Sequence, residues 1–136
     1  MVEIVDDCVV LVHSKRPPTA DEWKLYMELL ERNRTLVRRL CVFSEGAGPS
    51  AAQRQQVSDL VKTKYTKPII TAVVTPDPIA RGIGTAIGWI YSDIKIFAPD
   101  RIDDAFKFLS LSEKQTLGVR RAIAGLRSKL SAAAAG

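Results

Sequence analysis

The chain has 136 residues, a hydrophobic content of 46% and a formal net charge of +5. That is the size of one ordinary domain with a real core. No apolar run approaches the roughly 20 residues that span a bilayer, and Met1-Val2-Glu3 leads straight into strand-like sequence without the parts of a signal peptide. The expected setting is therefore the cytoplasm, with no membrane insertion.

Residues 2–5 and 8–13 are apolar and β-branched around Asp6-Asp7, which reads as a hairpin. Pro17-Pro18 ends the second strand. Thr19 and Glu22 then have the spacing of a capping box, and Trp23, Tyr26, Met27 and Leu30 follow at helical intervals until about Asn33. Residues 40–44 form a short buried strand. A Gly-Pro loop follows, and Ser50 with Gln53 opens a helix marked by Val57, Leu60 and Val61. Residues 69–74 are apolar throughout, as a central strand covered on both faces requires. Asp77-Pro78 reads as an N-cap with proline at the first helical position, and Ile79, Ile83, Ala86, Ile87 and Ile90 trace the next helix. Residues 94–97 are a strand, Asp100 is read as the cap of a brief helix, and Ser112 with Gln115 opens the last one. Its apolar side carries Val119, Ile123, Leu126 and Leu130 and its other side is basic. The Ala-rich residues 131–136 read as a flexible tail.

Strands alternating with helices predict an α/β sandwich on a mixed, mostly parallel sheet, in the order β-β-α-β-α-β-α-β-α with an extra C-terminal helix. Residues 40–44 and 69–74 should be adjacent interior strands. Cys8 and Cys41 fall inside apolar runs and read as buried free thiols. With His13 they are too few for a zinc site, and no cofactor is expected. No run of five like charges occurs, so the basic residues read chiefly as solvated surface. Nucleic-acid binding ranks third among the functions considered, because the aromatics fall at core spacing.

The element order and the glycine-bearing loop after the third strand resemble the STAS family, in particular its stand-alone bacterial members related to anti-sigma-factor antagonists. The resemblance covers about residues 2–110 as one domain. It leaves 111–130 as an added basic amphipathic helix packed on it, and 131–136 as the tail. It implies a non-enzymatic regulatory module acting through contacts with a regulatory protein partner, with homodimerisation as a further arrangement. In antagonists of this family the equivalent loop carries Asp-Ser-Ser-Gly with a phosphorylated serine. Here Gly46-Ala47-Gly48-Pro49-Ser50 stands in its place, so only Ser50 carries over, while the acidic residue and the serine pair are absent.

Each candidate site residue also has a structural reading. Ser50 is an N-cap worth about 1 kcal/mol, or a phosphoacceptor beside Arg54. Gly46 and Gly48 supply positive φ in a tight turn, or a docking loop; no Gly-Lys-Ser/Thr follows, so they form no phosphate-binding P-loop. Asp77 and Arg81 lie after the neighbouring strand, on the edge where open α/β sheets bind ligands. Gly82, Gly84 and Gly88 lead to Trp89 in a helix that either packs closely on the sheet or presents Trp89 to a partner. His13 reads as a satisfied structural histidine, and Asp103-Asp104 and Glu28/Glu31 as surface charges. A small-molecule-binding or enzymatic domain using the same loops is the alternative reading.

Overall fold

The computed structural model describes residues 1–46, 48–78, 81–82 and 93–135. Five strands, β1 (Val2–Val5), β2 (Cys8–His13), β3 (Arg39–Ser44), β4 (Ile70–Val74) and β5 (Ile94–Phe97), lie in one sheet in that order. β1 and β2 pair antiparallel with Val5 opposite Cys8, which leaves Asp6-Asp7 as a two-residue turn. Asp6 takes φ 52°, the left-handed conformation that such turns need and that aspartate tolerates. β2 through β5 are parallel. Parallel neighbours require crossovers, and α1 (Ala20–Arg32) and α2 (Ala51–Lys64) supply the first two. α3 (Ile102–Phe108) and α4 (Glu113–Ala135) follow β5.

Strand alternation sorts the apolar side chains into two cores. Val9, Leu11, Leu40 and Val42 pack against Trp23, Tyr26 and Leu30 of α1 and Leu60 of α2. Val10, Val12, Phe43, Ala72 and Val74 face Phe106 and Leu109 of α3 with Val119, Ile123 and Leu126 of α4. The result is a three-layer α/β sandwich. The runs expected as interior strands are adjacent, with Leu40 opposite Thr71 and Phe43 opposite Val74. All six residues of β2 are buried as well.

Local caps set the helix starts. Thr19–Glu22, Ser50–Gln53 and Ser112–Gln115 each form both bonds of the box. Asp100 does not cap: Pro99–Arg101 forms a 3-10 turn, and Arg101 occupies the N-cap position of α3 without a side-chain bond. α4 runs on past Leu130 to Ala135, as a run of alanines favours. The expected helix over 79–90 falls mostly outside the described residues; Pro78, Arg81 and Gly82 are helical. Among the described residues no helix is long and apolar enough to cross a membrane.

One polar tie across the opposite edge of the sheet had no sequence signal. Arg39 bonds both carboxylate oxygens of Asp7 at 2.6 Å and the Leu109 carbonyl at 2.6 Å. It thereby joins the hairpin turn, the start of β3 and the end of α3.

Candidate functional site at the carboxyl edge of the sheet

Parallel pairing brings the ends of β2, β3, β4 and β5 to one edge. His13 lies opposite Ser44, and Thr75 follows directly on β4. These three are the buried polar residues among those described. Each continues the two-residue step of its strand (Val9 and Leu11, Leu40 and Val42, Val73), which puts all three on the α1/α2 face.

The row is only partly satisfied. The Ser44 hydroxyl donates to the Gly46 carbonyl at 3.0 Å, and the Thr75 hydroxyl accepts from the Asp77 N–H at 3.2 Å. His13 stacks on Trp23 with ring centroids 6.2 Å apart. His13 Nε2 and Trp23 Nε1 are both buried with no hydrogen-bond partner among the described residues. His13 is thus not the satisfied histidine its sequence setting implies. Its strand position encloses the ring beneath α1 and brings no partner from the described residues to Nε2. Burial, and then the nearby Met1 ammonium, lower its pKa from 6.5 to about 4. The imidazole is neutral at pH 7.

The loop after β3 is tightly built. A Cβ on Gly46 would meet the Lys15 carbonyl oxygen at 2.6 Å, so Gly46 answers a close backbone approach rather than the positive φ expected of it. Gly48 does take the left-handed conformation, φ +74°. Ser50 is exposed, and its oxygen accepts from the Gln53 N–H at 3.1 Å while Gln53 Oε1 accepts from the Ser50 N–H at 2.9 Å. Gln53 Nε2 also donates to the Pro18 carbonyl at 3.1 Å, which ties the N-terminal ends of α1 and α2 together. Arg54 folds back to donate to the Pro49 carbonyl at 2.8 Å.

α4 reaches the same edge, which sequence reasoning missed because the partners lie 82 residues apart. Arg127 pairs with Glu45 at 3.3 Å and covers the Phe43 ring at 4.6 Å. After β4, the Asp77 carbonyl accepts from the Arg81 N–H at 3.0 Å with Pro78 between them, as an N-cap carbonyl does. Arg81 lines an open depression beside β5 rather than the Gly46–Ser50 loop. A Cβ on Gly82 would meet no atom of the described residues within 4 Å. Gly84, Gly88 and Trp89 lie outside the described residues.

Gly46, Gly48 and Ser50 therefore belong to one loop, with Arg54 in the first turn of α2 beside it and Asp77 on the neighbouring loop of the same edge. Cys8 and Cys41 are free and buried, and burial pushes both thiols up to about 12. No group of three His, Cys, Asp or Glu side chains that could hold a metal ion occurs among the described residues. Compared with protein-family models, curated proteins and solved structures, the chain matches none.

Proposed function

We propose that this chain is a STAS-like regulatory module of a bacterial cytoplasm, acting through protein–protein contacts at the carboxyl edge of its sheet. The observation that supports the reading is the 46–50 loop. Gly46 against Lys15, the Ser50–Gln53 box and Arg54 on Pro49 pre-organise it, while Ser50 stays exposed. A loop anchored at both ends has less freedom to lose when a partner docks. A phosphate on Ser50 would bring nearly two negative charges to the start of α2, within reach of Arg54, and would change the surface a partner reads. Trp89 is assigned as the apolar anchor of the same contact, on the strength of its sequence setting.

The test is partner affinity after isolation from native lysate, for Ser50→Ala, Ser50→Asp and Trp89→Ala, each checked for folding. Ser50→Ala should lose about 1 kcal/mol of stability with its cap, and Ser50→Asp and Trp89→Ala should lose affinity. Full affinity in all three removes both the serine gate and this surface.

A second reading, a small-molecule site at the same edge, rests on the unpartnered His13 Nε2 and Trp23 Nε1. A polar ligand supplying an acceptor to the indole and a donor to the imidazole would satisfy both. A shift of the Trp23 indole proton resonance on adding such a ligand would favour this reading over the docking module.

A further inference from the structure

Among the described residues β5 is the last strand of the sheet, with β4 on one side and no strand on the other. The Thr71 N–H bonds the Asp93 carbonyl at 2.7 Å and the Thr75 N–H bonds the Phe97 carbonyl at 3.0 Å. In a parallel ladder, alternate residues of a strand turn their backbone groups to opposite neighbours. Asp93 and Phe97 therefore face β4, and the N–H and C=O groups of Ile94 and Ile96 point outward.

A depression of about 710 Å³ lies along that outer side. Four consecutive residues, 95–98, line it. Successive side chains of a strand point to opposite faces, so a depression touching four in a row follows the backbone edge. Its other wall is α3, through Lys107 and Phe108. Among the described residues that line it, Lys95, Arg101 and Lys107 outnumber the carboxylate of Asp104, which Arg101 pairs at 2.7 Å. Lys95 and Phe97 share the α3 side, with Lys95 Nζ 5.5 Å from the Phe97 ring centre. A lysine on an edge strand commonly keeps other strands away. Here it points into a cationic groove, where it selects rather than repels an acidic strand.

We infer that the β5 edge is a docking site for an extended acidic segment of a partner protein, which adds to the sheet beside β5. The four residues of β5 span about 13 Å, room for four residues of the incoming segment. Its backbone bonds the outward groups of Ile94 and Ile96. Its acidic side chains, at every second position, meet Lys95, Arg101 and Lys107. This surface is distinct from the 46–50 loop, and the inference stands without the reading proposed for that loop.

The probe is a blocked octapeptide of alternating glutamate and threonine, titrated into the whole chain by fluorescence anisotropy at low salt. Binding should weaken steeply with added salt, and the counterpart with lysine for glutamate should not bind. Two further peptides carry backbone N-methyl groups at alternate residues, one in each register. An added strand uses only alternate N–H groups, so one methylated peptide should bind like the parent and the other at least about tenfold more weakly. Equal affinity of the two methylated peptides overturns the inference, because charge attraction alone does not read the backbone. So does binding of the lysine peptide, or complete displacement by an oligothymidylate of equal charge, which would assign the groove to nucleic acid. Lys95→Glu with Lys107→Glu should weaken binding by about tenfold or more. Should that variant fail to fold, the peptide arms on the unaltered chain still decide.

Discussion

Acidification should destabilise this protein through His13 before ordinary carboxylate titration begins. The folded chain holds the imidazole neutral, with a pKa of about 4 against 6.5 for the free group. Between those values the unfolded chain binds more protons, so stability is full above pH 6.5, falls as the pH drops, and levels off below about 4. At 1.36 kcal/mol per pH unit, the loss from this one group is about 2 kcal/mol at pH 5 and about 3 kcal/mol at pH 4. Domains of this kind are stable by only about 5–15 kcal/mol, so that loss is a substantial share of the total. The assay is urea unfolding from pH 8 to pH 4 on the wild type and on His13→Phe, which keeps a ring against Trp23 and removes the titrating nitrogens. At pH 8 the variant should match the wild type or exceed it by about 1 kcal/mol, because an unpartnered buried nitrogen is gone. The gap should then widen by about 2 kcal/mol at pH 5. Parallel profiles for the two proteins would refute the reasoning, since they would mean that His13 takes up its proton freely in the folded state.

Other outcomes follow from single contacts. Cys8 and Cys41 should react with a thiol reagent only as fast as the protein unfolds, because burial keeps both as neutral thiols; rapid labelling of the native chain would contradict their placement. Gly46→Ala should destabilise by about 1–3 kcal/mol in thermal unfolding, since the new methyl would meet the Lys15 backbone. Gly125→Ala, in open space on α4, should instead stabilise by about 1 kcal/mol. Arg39→Met should lose more than about 1.5 kcal/mol, because both charge-assisted bonds to Asp7 and the tie to the Leu109 carbonyl go with it.

What the sequence determined by itself is what short-range physics controls. Thr19 and Glu22, Ser50 and Gln53, and Ser112 and Gln115 are three residues apart, and each pair closes its own box whatever lies elsewhere. The 40–44 and 69–74 runs were legible as interior strands because only a strand covered on both faces tolerates so unbroken an apolar run. Even the carboxyl edge as the meeting place of the 46–50 and 75–78 loops follows from parallel crossovers. Asp100 failed as a cap because Pro99 draws the chain into a tight turn first, a competition between two local signals that spacing does not rank.

The tertiary structure alone decided everything that joins distant residues. Arg127 meets Glu45 and Phe43, Arg39 meets Asp7, and Gln53 meets Pro18 only after the layers pack. His13 illustrates the difference most plainly. Its neighbours in sequence say that it ends a strand, but whether its nitrogen finds a partner depends on what other elements bring to it, and among the described residues none is found. The basic groove beside β5 likewise exists only because α3 comes back against the last strand and sets Lys107 opposite Lys95. Charge and periodicity are properties of a segment. A groove or an unpaired nitrogen is a property of which segments become neighbours, and long-range packing settles that.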